Sequence, residues 1–214
     1  MRMNNQRIVL ASRPAGAPSA ENFRLEEVAL APLDDGQVRI KNAYLSLDPY
    51  MRGRMSDAKS YAQPQPLNET MIGGTVGEVV ESRNPAFTVG DKVVGMGGWQ
   101  LYSTATGRGD IRKIDTAHIP LSAYLGAVGM PGMTAWYGLN KICEPKAGET
   151  VCVDAASGAV GSVVGQLAKL KGCTVIGVAG GKDKCDYVTG ELGFDACIDY
   201  KAHPEPADFY AALK

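Results

Sequence analysis

The pattern of apolar and polar positions that organises the chain lies between residues 150 and 199. Thr150-Val151-Cys152-Val153-Asp154 is a short β-branched run and predicts a buried strand. A turn of small residues follows, Ala155-Ala156-Ser157-Gly158-Ala159-Val160-Gly161. The pattern then becomes helical, with Val160, Val163, Val164, Leu167 and Ala168 on one face. Gly172 ends that helix, and residues 174–178 predict a second strand. Residues 196–199 predict a third, and the chain closes on a helical run from Pro206. A strand, a Gly-bearing turn, a helix and a strand make the first half of a dinucleotide-binding fold.

The first 121 residues carry little helical period. Strand-like runs recur at residues 7–10, 37–41, 77–81 and 91–95, parted by turn signals such as Asp34-Asp35-Gly36 and Asn84-Pro85. This spacing predicts a small, partly open β-barrel. Residues 56–69, with Pro64 and Pro66, read as a loop that forms a flap. A short helix is predicted over 123–128 and is broken by Gly129-Met130-Pro131-Gly132. A second helix resumes over 134–142, with Thr134 as its start. The chain therefore divides near Ser122 into a β-rich domain, 1–121, and a nucleotide-binding domain, 122–214.

Composition narrows the classes. The chain has 214 residues, 45% of them hydrophobic, and a formal net charge of −1. That length supports a real core, and near-neutral charge gives no case for nucleic acid or an anionic membrane surface. No apolar run approaches a membrane span, and residues 8–11 are too short for a signal-peptide core. The five cysteines lack C-x-x-C spacing and fit a reduced, cytoplasmic protein. They read first as buried small hydrophobes.

The turn at residues 155–161 is a G-x-G-x-x-G pattern with Ala156 in the first place. Gly158 would let the backbone approach a pyrophosphate, and Gly161 would let the helix pack closely on the strand. The free N–H groups and dipole of the helix start would meet the anion. Helix–sheet packing alone is the competing reading of the same glycines. NAD sites place Asp or Glu at the end of the second strand, about 20 residues after the glycines. Here that strand ends Val178-Ala179-Gly180-Gly181, followed by Lys182 and Lys184. Cations suit a 2′-phosphate, so NADP is favoured over NAD, with an ordinary solvated surface, in which Asp183 partly offsets the lysines, as the competing reading.

Three motifs carry a family resemblance: Leu45-Ser46-Leu47-Asp48-Pro49-Tyr50-Met51-Arg52-Gly53-Arg54-Met55, then Gly129-Met130-Pro131-Gly132-Met133-Thr134-Ala135, then the turn at 155–161. In this order they resemble the zinc-independent medium-chain dehydrogenase/reductases. The nearest group is the NADPH-dependent alkenal double-bond reductases, which holds the curcumin, prostaglandin (leukotriene B4 dehydrogenase) and plant 2-alkenal reductases. Residues 22–27 and 178–181 lean towards the bacterial curcumin reductases. The resemblance implies a GroES-like β-barrel followed by a Rossmann domain. It implies reduction of the carbon–carbon double bond of enals and enones by hydride transfer, without metal, in a cytoplasmic homodimer. Zinc members have Gly-His-Glu where this chain has Ile72-Gly73-Gly74, so no metal site is expected.

By that resemblance Tyr50 is the hydrogen-bond donor that polarises the substrate oxygen, with a barrel-edge packing role as the alternative. Pro49, Met130 and Thr134 line the nicotinamide side. Ala159 and Val160 lie on the pyrophosphate, and Gly180, Lys184 and Tyr200 hold the adenosine 2′-phosphate end. Tyr61 and Arg52 are weaker substrate candidates, and surface ion pairs explain Arg52 and Arg54 as well. His118 and His203 lack a catalytic partner in the sequence and read as structural. Only three strands of a doubly wound sheet are in view, so the chain reads as a truncated piece of a longer reductase. Such a piece would have an unpaired edge at its first nucleotide-domain strand, and at most weak nucleotide binding without enal reduction. A quinone reductase is the neighbouring alternative.

Overall fold

Val38, Ile40, Val79, Val93 and Ala105 come from four antiparallel strands and bury one side of a sheet, with Phe87 closing the cluster. With β7 (Ile111–Lys113) added to these four, β3 (Val38–Leu45), β4 (Thr75–Ser82), β5 (Lys92–Gly95) and β6 (Tyr102–Ala105), the sheet has five strands in the order β6-β3-β4-β5-β7. β1 (Asn4–Leu10) and β2 (Phe23–Ala29) form a separate antiparallel ribbon. Single bridges from Arg7 to Gln100 and from Val9 to Thr70 tie that ribbon to the rest. Asn5 is buried yet fully used: its amide nitrogen donates to Gln100 Oε1 and the Tyr102 carbonyl, and its Oδ1 accepts the Tyr102 N–H, each at 2.9 Å. This is the small, partly open barrel that the strand spacing predicts, and it fits the GroES-like domain that the resemblance implies. The computed structural model describes residues 4–212, and the chain divides into two units between Leu125 and Gly126.

Of the described strands of this unit, the sequence pattern misses β2, β6 and β7. β2 carries Arg24, Glu26 and Glu27 and is mostly exposed, so it shows no run of apolar positions. β6 is polar and β7 is three residues long, and both are set by pairing with distant partners, β3 and β5. The predicted helix over 123–128 is instead a 3-10 turn, Leu121–Leu125, packed with β4 and β5.

The second unit opens on α2 (Met130–Tyr137), which widens into a π turn over Gly138–Cys143. The helix therefore starts four residues before the predicted Thr134. Pro131 does not break it, because a proline in the first turn gives up an N–H that has no acceptor anyway. Gly132 is required there: a Cβ on it would run into the Ala127 carbonyl. Then follow β8 (Thr150–Val153), α3 (Gly161–Leu170), β9 (Thr174–Ala179), α4 (Lys182–Gly190), β10 (Ala196–Asp199) and α5 (Pro206–Ala212). The three strands are parallel in the order β10-β9-β8, the first half of a Rossmann sheet. Val153, Val175, Ala168, Val188, Phe194 and Leu139 form its core. Gly172, at φ +80°, closes α3 with its N–H on the Lys169 carbonyl at 2.9 Å, as a left-handed helix stop needs. Val160, predicted on the buried face of α3, is exposed and caps the helix from outside. Among the described residues β8 has a strand neighbour on one side only.

Candidate functional site

In the first unit the motif at residues 45–55 builds a short helix, α1 (Tyr50–Arg54), started by Pro49 at φ −56°. Met51 and Met55 sink into a cluster with Leu10 and Met71 and so anchor the helix. Tyr50 packs against the same cluster with its ring half-buried. Burial and the nearby Asp48 carboxylate push its phenol up from the ordinary tyrosine range, against the pull of Arg54. Tyr50 therefore remains a neutral O–H donor well into alkaline pH. Tyr61 is 91% exposed in the 56–69 loop and adds to the upward pressure on Tyr50.

Arg52 is tied to the backbone. Its Nε donates to the Gly16 carbonyl at 2.9 Å and one terminal nitrogen to the same carbonyl at 2.6 Å. It clamps the loop before β2 and makes no ion pair among the described residues. Gly73 bears on the zinc comparison. A Cβ there would lie 2.6 Å from Leu45 Cδ1 and 3.1 Å from Met51 Cε, so a larger side chain at this position would push the ends of these two side chains aside. Among the described residues no three His, Cys, Asp or Glu side chains converge as metal ligands would. No helix among them is long and apolar enough to cross a membrane.

In the second unit the turn between β8 and α3 bends at Ala155, φ +48°, and its carbonyl accepts the Gly158 N–H at 2.8 Å. Ser162 N–H turns back to the Gly158 carbonyl at 2.9 Å. Among the described residues the N–H groups of Ala159, Val160 and Gly161 have no backbone acceptor. Ala159 and Val160 are exposed, so their two donors open to solvent at the start of a ten-residue helix. Such a row of donors at a helix N-terminus receives an anion. Gly161 is buried, and a Cβ on it would meet the Ala155 backbone. A Cβ on Gly158 would meet only Ala155, so the space over that residue is open.

Met130 and Thr134 sit one turn apart on α2 and are exposed. Thr134 Oγ1 donates to the Met130 carbonyl at 2.8 Å, so toward a ligand it can only accept.

At the end of β9 the two lysines separate. Lys182 Nζ pairs with Asp186 at 2.5 Å, while Lys184 makes no ion pair among the described residues. The Tyr200 ring lies against Gly180, where a Cβ would be 2.7 Å from its hydroxyl. The structure also brings in a residue that the sequence reading missed. Asp199, at the end of β10, accepts the Gly181 N–H at 2.7 Å and the Lys201 N–H at 3.0 Å on one oxygen. These amides hold its carboxyl below the ordinary aspartate range. The acid absent from the end of β9 thus arrives from the neighbouring strand. Its one sequence signal is Asp199-Tyr200-Lys201, an Asp that bonds the N–H two residues on.

Residues 6–114 match a family described as the N-terminal domain of oxidoreductase. The NADPH-dependent curcumin reductase of Escherichia coli (strain K12) is 53% identical over 201 residues, which are 94% of this chain and 58% of that protein. The NADP(+)-dependent 2-alkenal reductase of Nicotiana tabacum is 43% identical over 99% of this chain and 62% of its own length. The crystal structure of CurA in complex with NADPH from Vibrio vulnificus superposes with a TM-score of 0.88 at 52% identity, over 97% of this chain and 60% of that one. The chain thus spans about three fifths of the length of these relatives.

Proposed function

The chain belongs to the oxidoreductases that carry this N-terminal domain, in the alkenal double-bond reductase group, and from that premise we propose that it serves the NADPH-dependent reduction of the carbon–carbon double bond in α,β-unsaturated aldehydes and ketones. The observation that carries the reading is the row of free N–H groups at the start of α3, directly after a parallel strand. NADPH, when bound, supplies the hydride. The N–H groups of Ala159, Val160 and Gly161 hold its pyrophosphate, with Gly158 leaving room for it. Lys184 takes the 2′-phosphate and Tyr200 backs the ribose beside Gly180. Pro49, Met130 and Thr134 border the nicotinamide, Thr134 as an acceptor.

Tyr50 donates a hydrogen bond from its phenolic O–H, which keeps its proton, to the substrate oxygen and would stabilise the enolate charge that develops there when the β-carbon is reduced. A phenol held neutral by burial is suited to that task. Tyr61, exposed on its loop, supplies an aromatic wall for the substrate. In this reading residues 1–121 are the catalytic domain and 122–214 the NADP-binding domain of a cytoplasmic homodimer. The five cysteines, free of disulfides, are in keeping with that compartment.

The test is to titrate the chain with NADPH and NADH and to follow NADPH consumption with an enone such as curcumin and with a quinone. We expect tighter binding of NADPH, and enone in preference to quinone. Tyr50→Phe keeps the ring and should lower kcat/KM by roughly 10- to 1,000-fold, the range for loss of one oxyanion donor. Equal affinity for the two cofactors would remove the 2′-phosphate assignment. NADPH binding without enone turnover would remove the reductase half alone.

A further inference from the structure

We propose that Asp199 is a positioning residue for the 2′-phosphate end of the cofactor, acting through Gly181; the inference rests on the cofactor reading above. Gly181 stands at φ +103°, ψ 149°, a conformation that L side chains rarely adopt. Its N–H goes to Asp199 Oδ1 at 2.7 Å. Its carbonyl accepts the Lys184 and Cys185 N–H groups, each at 3.2 Å, and so opens α4. One residue, Gly181, therefore links Asp199 to the backbone of Lys184. The same Oδ1 accepts the Lys201 N–H, and Tyr200 N–H reaches the Ala179 carbonyl at 3.1 Å. These bonds stitch the end of β9 to the end of β10 on both sides of Tyr200. The backbone that carries the two side chains assigned to the phosphate and ribose is thus braced by one carboxylate oxygen. Because the amides draw on this oxygen as an acceptor, its function does not require the full negative charge. An amide oxygen at the same place would accept the same N–H groups.

The experiment uses the whole chain and three forms: parent, Asp199→Asn and Asp199→Ala. The first readout is the ratio of affinities for 2′,5′-ADP and 5′-AMP, which isolates the 2′-phosphate. Asp199→Ala should reduce that ratio by about tenfold or more, the scale of a lost charge-assisted contact at Lys184. Asp199→Asn should keep it within about threefold of the parent, since the acceptor survives. The second readout is hydrogen exchange of the Gly181 and Lys201 amides without any ligand. Exchange should quicken in Asp199→Ala and stay slow in Asp199→Asn. If Asp199→Ala leaves both amides protected, or leaves the ratio unchanged, the inference is wrong. If Asp199→Asn loses the ratio as fully as Asp199→Ala, charge and not hydrogen bonding is at work, and the inference is equally wrong. A parent chain that does not distinguish 2′,5′-ADP from 5′-AMP sinks the cofactor reading instead, while the exchange data still report on Asp199. Unchanged melting temperatures guard against unfolding as the cause of any loss.

Discussion

Lys182 and Lys184 show how far a single side chain can be read. In sequence they are equivalent cations after a glycine pair, and both suit a phosphate. In the fold, Lys182 lies one helical turn from Asp186 and spends its charge there, an exposed pair worth little to stability. Its ammonium is held above the ordinary lysine range by that carboxylate. Lys184 has no such partner among the described residues. Lys184→Ala should therefore weaken NADPH by about tenfold or more, and Lys182→Ala by about twofold at most. NADH should respond to neither. Calorimetric titration of both variants checks this, and equal losses would show that the site reads only net charge. Asp199 escaped the sequence reading for a related reason. Its partners are backbone amides, one of them on another strand's turn, and a backbone amide leaves no mark in the sequence.

At the scale of elements, glycine spacing was more legible than polar strands. The turn at 155–161 announced its strand, its helix and their order, because each step needs a residue type of its own. β2 and β6 were hidden, since a polar strand on a half-exposed sheet looks like a loop until its partner is known. The start of α2 was misplaced because Gly129-Met130-Pro131-Gly132 reads as a helix breaker, yet it serves as a helix beginning. This makes glycine substitutions a sharp test of the packing. Gly165 of α3 faces the Phe194 ring, which occupies the space of a Cβ. Gly165→Ala gains about 1 kcal/mol of helix propensity and loses about 1–3 kcal/mol to overpacking, for a small net loss. Gly132→Ala meets a backbone carbonyl that no side-chain rotation can clear, so it should cost more. Gly190→Ala, at the end of α4 with open space around it, should be neutral or slightly stabilising. Urea unfolding of the three variants would rank them, and a Gly132→Ala chain as stable as the parent would contradict the geometry.

The two units of the molecule differ in how far apart in sequence their contacts lie. In the second, each strand pairs with the next across a single helix, a pattern that can assemble as it is made. In the first, Asn5 bonds Gln100 and Tyr102, and β6 pairs with β3 rather than with its sequence neighbours. Contacts of this range are slow to form, because loop closure must be met before they contribute. The order of synthesis sharpens the point. At about 5–20 residues per second, the ribosome needs roughly 5–20 s to pass from Asn5 to Tyr102. Chains arrested short of Gln100 should leave residues 4–10 open to protease, and arrest well beyond Tyr102 should protect them. Protection in the shorter chains would show that the ribbon of β1 and β2 stands alone. Until that closure Val9 and Leu10, wholly buried in the finished fold, face water, and this segment is a natural client for a chaperone that meets chains as they emerge.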